Sequence, residues 1–363
     1  MSTIMEVIIE FPNRQIQSAS PQDRPAPYKR AEHRGGLGGI ASKPREGMRP
    51  SWGVGKPYAG ERRHPMVRVI TDSTSSIPVD VRNNLGIEVI SLVINRAGQS
   101  YVEAETDLDA FYQDIYEMID DIPTSSQPSQ QDVRDVLERI QADGDDVLGI
   151  FISSKMSGTF ETFLRIAKEV AAEHPGFKFA AIDSMTNCME LGHAVVAGAK
   201  AAKSGLGLED CAAAVEDSLH SSRFLFTPES LRFLEKGGRI GKAAALIGGV
   251  INITPILTVK DGEAATAAKT RSQKKAMAKI VKLFEEDIAA YGLKNLVVHY
   301  IGSKIPAEKW AEEVINPLVG FKARVVPASP VIGVHVGPAV GVAYECKQRI
   351  EGKFTGASPE VVL

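Results

Sequence analysis

The sequence predicts an α/β protein of two domains: a mainly parallel sheet with helices on both faces, then a mixed α+β half. Three observations predict it. Short apolar strands alternate with amphipathic helices from Met66 to about Ser222. After Phe224 the order changes to a hairpin signal followed by one long helix. Before Met66 the apolar residues show no period at all. Repeated strand–helix order is the pattern of a parallel sheet covered by helices.

Residues 1–65 are expected to be a disordered or extraneous segment. From Pro12 to Pro65 the chain is rich in Pro, Gly, Arg and Ser. Such a composition buries too little apolar surface to offset its ordering entropy. The run GGLGGIA within it partly matches a dinucleotide fingerprint, but no strand precedes it and no helix follows. The first strand begins at an internal methionine, Met66. That is expected of a start placed too early or an appended leader, with a flexible tail as the alternative.

The N-terminal domain is expected over 66–223. Val67–Thr71 is a short apolar strand, and Glu88–Ile94 alternates as a second. Asp107 caps a helix whose apolar face carries Leu108, Phe111, Ile115 and Ile119. Ser129 caps another, with Val133, Val136, Leu137 and Ile140 inward. Val147–Ser153 and Lys178–Ile182 are further strands, followed by helices near Phe160–Ala172 and Gly192–Lys203. The C-terminal domain is expected over 224–363. Pro228–Leu234 reads as a short helix. Asp261 and Gly262 mark a hairpin turn. A helix spans Ser272–Tyr291, then come a strand at Leu296–Tyr300, a helix at Ala307–Leu318, a strand at Ala323–Val326 and a last strand from Gly341.

Composition excludes several functions. The 363 residues carry a formal net charge of −3, so no global field attracts nucleic acid or anionic membrane. Three cysteines, Cys188, Cys211 and Cys346, show no zinc or redox spacing, and their odd number argues against a disulfide framework. A cytoplasmic location is expected. No apolar run approaches the length of a membrane span. No metal site is expected, because neither HExxH nor an EF-hand pattern occurs. GGRIGKAAA is too short between glycines for a phosphate loop, and Ala243 stands where Ser or Thr must hold magnesium. No G-x-S-x-G elbow exists.

What remains is a set of hydroxyl-rich strand ends, the place where open α/β sheets bind ligands. They are Asp72 to Ser76, Ser153 to Thr159, and Asp183 to Thr186, with a further loop from Pro123 to Ser129. Each singly suits ordinary caps and turns. Together they suit an anion, since hydroxyls and free amides at a helix N-terminus bind one without a countercharge. Ser157, Gly158 and Thr159 stand just before a helix, and Gly158 lets the backbone come close. Among seven histidines, His335 stands out in an apolar, glycine-bounded loop, where a structural and a functional role are both open.

These segments together resemble the DegV family, whose members include the fatty acid-binding subunits of bacterial fatty acid kinase. The resemblance runs from Met66 to about Gly352. It rests on VITDSTSSIP, TSSQPS, ISSKMSGTF, AAIDSMT, LRFLEKGGRIGKAAALIGGVINITPIL and PVIGVHVGP, in that order. It implies two α/β domains enclosing a lipid pocket, a bound fatty acid as ligand, no cofactor, and a place in phospholipid metabolism. It implies a non-catalytic subunit that presents a carboxyl group to an ATP-binding kinase partner, which forms the acyl phosphate. It places the carboxyl-binding residues at Ser125, Ser157 and His335, with Ser126, Gly158 and Thr159 around them, and kinase docking at Arg239. Ser125 stands where the family usually has threonine. A positive charge common in the family is missing at Thr254, and Ala339 replaces a frequent glycine.

Burying 14–16 methylenes at about 0.8 kcal/mol each gives roughly 10 kcal/mol before association costs. Leu246, Ile247, Val250, Ile251, Ile253 and Ile256 can line such a tunnel, although each singly reads as core. Two other functions stay open on the residues alone. One is a self-contained serine hydrolase or acyltransferase using Ser157 with His335. The other is a lipid sensor without chemistry.

Overall fold

The computed structural model describes residues 65–103, 107–246, 253–352 and 360–362, all within one compact unit spanning Arg62–Leu363. The chain enters as β1 (Val67–Asp72), α1 (Val79–Leu85) and β2 (Glu88–Ile90). It continues through β3 (Val93–Arg96), β4 (Gln99–Val102), α2 (Leu108–Asp114) and β5 (Thr124–Ser126). Next come α3 (Gln130–Ala142), β6 (Asp146–Phe151), α4 (Thr159–Glu173), β7 (Phe179–Asp183), α5 (Cys188–Lys203) and α6 (Leu208–Ser221). Then follow β8 (Ser222–Pro228), α7 (Arg232–Lys236), β9 (Thr254–Lys260), β10 (Glu263–Thr270) and α8 (Gln273–Tyr291). The chain ends with β11 (Leu293–Ile301), α9 (Ile305–Trp310), α10 (Asn316–Val319), β12 (Arg324–Pro327), α11 (Pro330–Val336), β13 (Ala339–Cys346) and β14 (Glu360–Val362).

Three sheets result. The first has the order β14-β7-β6-β1-β2 and is parallel except for β14. Its strands are apolar on both faces because helices cover both. Phe151, Phe163 and Leu137 pack on one side under α3 and α4, while Leu148, Ile150 and Leu191 pack on the other. The second sheet has the order β10-β9-β8-β13-β11-β12 and is antiparallel except where β12 joins β11. The third is a small antiparallel sheet, β4-β3-β5. The α/β class and the two kinds of sheet agree with the sequence.

Four local expectations are corrected. Glu88–Ile94 is not one strand: β2 pairs in the first sheet and β3 in the third, with the chain turning between them. The TSS segment is not a loop between helices but β5, whose Ser125 pairs with Ile94. The Pro228–Leu234 helix is displaced to Arg232–Lys236, because Ser222–Pro228 is committed to β8. The segment holding His335 is not a loop but the helix α11. Ser329 caps it, its hydroxyl accepting from the Ile332 amide at 3.3 Å, and Pro330 occupies the first turn, where no N–H is required. Its apolar residues outnumbered any helical period, so periodicity did not reveal it.

Gly149 shows how tightly the first sheet is packed. A Cβ there would lie 2.5 Å from the Phe163 ring. Overpacking of this kind typically costs about 1–3 kcal/mol. Gly149→Ala is expected to lose stability in that range in urea unfolding, and an unchanged midpoint would show that the ring yields freely.

Candidate functional site

A cavity of about 330 Å³ lies between the second sheet, the third sheet and α11. Its apolar wall includes Leu92, Ile152, Phe224, Phe226, Val259 and Ile301. The stacked rings of Phe224 and Phe226, 4.8 Å apart, belong to this wall. Ser125, Ser126, Ser157, Gly158, Arg239 and His335 also line it, so residues far apart in sequence reach one place. Thr159 is buried behind them, at the first position of α4.

Ser125 and His335 are in direct contact. The Ser125 hydroxyl lies 2.8 Å from Nε2 of His335. Nδ1 has no hydrogen-bond partner among the described residues. Gly237 lies against that nitrogen, and a Cβ there would stand 2.7 Å from it. The ring is pushed down to a pKa of about 4, first by burial and then by the charge of Arg239. It is therefore neutral at pH 7. A proton on Nε2 would be donated to Ser125 Oγ and leave the serine hydrogen free to donate into the cavity.

Ser157 belongs to a different arrangement. Its hydroxyl lies 2.8 Å from Thr159 Oγ1. Gly158 is the N-cap of α4 and offers no side-chain acceptor. The first amides of α4 thus lack intrahelical partners, which makes this helix end suited to an anion. Gln127 joins the two segments: its Nε2 donates to Thr162 Oγ1 at 2.8 Å, and its side chain occupies the space a Cβ at Gly158 would need. Arg239 is exposed and folded back on the loop. Its Nη1 donates to Gly237 O at 2.7 Å and its Nε to Met156 O at 3.3 Å.

Other expectations are redirected. The Asp72–Ser76 loop does not join this site. Ser73, Ser75 and Ser76 line a separate cleft, with Arg82 and Glu103. Asp72 serves the fold, its carboxylate accepting from the Ile152 amide at 2.7 Å. Leu246 and Ile256 are core residues and do not line the cavity. Ile253 borders a different surface depression, and Ile247, Val250 and Ile251 lie outside the described residues. His299, read as core or surface, is buried and borders the cavity. Both its nitrogens are engaged, Nδ1 with Val326 O at 3.0 Å and Nε2 with the Met189 amide at 3.1 Å. Gln127 and Asn187 were missed as lining residues. The Gly158 beside a spatially close Gln is a signal only once the fold is known.

The depressed histidine has a pH consequence. Its folded pKa of about 4 lies below the ordinary 6.5, so its contribution to stability is present above 6.5 and is lost as pH falls toward 4. In a side-chain nitrogen NMR titration, His335 is expected to stay neutral down to about pH 5. A midpoint near 6.5 would show that the ring is solvated.

Comparison with known proteins comes to the same segments. The family model described as uncharacterised protein, DegV family, matches residues 66–347. A DegV domain-containing protein of Clostridium acetobutylicum is 41% identical over 288 residues, covering 78% of this chain and 99% of its own. A solved DegV-family protein from Thermus thermophilus, described by its fatty acid binding, is 30% identical, covers 77% of this chain and 99% of its own, and has a TM-score of 0.69. DegV from Bacillus subtilis, described as a fatty acid-binding protein, is 28% identical, covers 78% of this chain and 100% of its own, and has a TM-score of 0.70. With the fold, the loops and these matches in agreement, the chain belongs to the DegV family.

Proposed function

We propose that the cavity holds one long-chain fatty acid and presents its carboxyl group to a separate ATP-binding kinase. The observation that carries this reading is an apolar cavity of about 330 Å³ with hydroxyls, an imidazole and a helix N-terminus gathered in its wall. Ligand cavities of roughly 300–1,000 Å³, mostly apolar with a few placed polar groups, suit a molecule of this kind. The fatty acid binding of the relatives from Thermus thermophilus and Bacillus subtilis supports it.

In this reading Ser125 and Ser157 donate to the carboxylate, and His335 orients Ser125. Ser126, Gly158 and Thr159 shape the surroundings. The acyl chain occupies the space between β8, β11, β13 and α11. Several donors are needed, because a carboxylate leaving water unpaired is costly. Phosphoryl transfer would then occur in the partner: a carboxylate oxygen attacks the terminal phosphorus of ATP, ADP leaves, and an acyl phosphate forms. This chain's part is to hold the acid and expose its oxygen.

The Ser125–His335 contact invites a second reading, a serine hydrolase. The pair differs from the Ser157–His335 pair that the sequence suggested, since Ser157 bonds Thr159 instead. Nδ1 of His335 has no carboxylate to orient it among the described residues, so the third member of a triad is missing. The carrier reading is the better supported.

Ser125→Ala with Ser157→Ala is expected to remove most bound fatty acid, as measured by organic extraction and mass spectrometry. Each lost bond to a charged group costs about 1.5–3 kcal/mol. Unchanged fatty acid content in a folded double variant would displace the carboxyl site from these residues. An acyl group covalently attached to serine would instead favour the hydrolase.

Arg239 is exposed beside the site, and among the described residues its guanidinium donates to the backbone oxygens of Gly237 and Met156. Arg239→Ala is expected to keep lipid content but weaken association with a fatty acid kinase catalytic subunit by at least about tenfold, or roughly 1.4 kcal/mol. Equal affinity in a calorimetric titration would remove Arg239 from the docking surface.

A further inference from the structure

The helix that carries His335 is held at both ends by the same small sheet. At its C-terminal end, His335 meets Ser125 of β5. Along its length, Val331 and Val334 pack on Leu92 and Ile94 at β3. At its N-terminal end lies Glu103, just after β4, whose amide donates to Leu92 O at 3.1 Å. Glu103 is only 5% exposed. Glu103 lines one cleft with Ser73, Ser329 and Pro330, which sets it beside the start of α11. Its Oε2 has no hydrogen-bond partner among the described residues. A buried carboxyl group with one oxygen unsatisfied is better tolerated with a proton than without.

We propose that Glu103 is a positioning residue for the cavity: it holds α11, and with it His335, against the three-stranded sheet, and losing its proton loosens that wall. The inference rests on the lipid-binding reading above, because the wall in question is lined by Val331, Ile332, His335 and Val336.

The electrostatics agree with the geometry. Burial pushes the carboxyl group up to about 7, against the pull of its hydrogen bonds, and Asp72 on β1 pushes it further the same way. Arg82 on α1 faces it, and its own pKa is pulled down by burial and up by Glu103. Tyr112 on α2 and Cys188 on α5 also feel its charge. Arg324 borders the same cleft, but its guanidinium is committed to Asp80. A midpoint near 7 leaves Glu103 about half protonated at neutral pH.

The sign follows from linkage. The folded pKa is raised above the ordinary 4.5, so the stability it contributes is full below 4.5 and is lost as pH rises through about 7. If α11 lifts, Glu103 meets water and its pKa returns toward 4.5. Lifting thus releases a proton. It becomes easier by up to about tenfold per pH unit between those values, and levels off above 7. Release of the ligand should follow the same curve.

The test uses the full chain loaded with oleic acid, with transfer to phosphatidylcholine vesicles as readout. The release rate is expected to rise at least about tenfold from about pH 5.5 to about pH 7.5. Glu103→Gln keeps the shape and a hydrogen-bonding group but cannot titrate, so its rate should change by no more than about twofold over the same range. The same pH profile in both proteins would overturn the proposal. Hydrogen exchange of the α11 amides in lipid-free protein tests the latch without the ligand. The excess exchange of wild type over Glu103→Gln should grow with pH, and a constant difference would overturn the latch. If the wild type takes up no oleic acid, the lipid reading fails while the exchange experiment still decides the latch. If Glu103→Gln does not fold, carbon-detected NMR of the wild-type Glu103 carboxyl decides it. A midpoint near 7 supports the proposal and one near 4.5 overturns it.

Discussion

The cavity depends on one short helix staying where it is. α11 has seven residues, too few to be stable on its own, so its position comes entirely from tertiary contacts. The most specific of these is the 2.8 Å contact between Ser125 and His335. It places a polar pair beside the apolar part of the cavity wall. Neighbouring features make sense as its supports. Gly237 has no side chain because Nδ1 occupies that space, and Tyr112 donates to the carbonyl of Ala328 just before the helix. Ser76 accepts from the amide of Ser329 at 3.0 Å.

Much of the fold was legible because the first half obeys simple rules. Apolar runs in β1, β6 and β7 are buried on both faces, and caps such as Ser129 sit where the pattern begins, with Asp132 completing the capping box. The second half was harder. Pro330–Val336 is apolar at nearly every position, so helix and loop look alike until the neighbours are known. The split of Glu88–Ile94 between two sheets was hidden because both halves alternate as a strand should.

The site was legible as a list and not as an arrangement. Ser125, Ser157 and His335 carry the family motifs, and all three border the cavity. Which serine meets the histidine depends on β5 pairing with β3, a contact that no local pattern announces. Glu103 shows the limit most clearly. In sequence it is one acidic residue after an exposed strand. Only folding buries it beneath the start of α11, where its proton acquires meaning.

The C-terminal strand β14 has a consequence for how the chain is made. Glu360–Val362 pairs antiparallel with Phe179–Ala181 at the edge of the first sheet, roughly half the chain away in sequence. A growing chain on the ribosome completes every other strand of that sheet long before this one. During that interval β7 presents an unpaired edge, the kind of surface that recruits strands from other chains. β14 is therefore the strand that seals the earliest sheet, and a chain lacking it would leave that edge open to self-association.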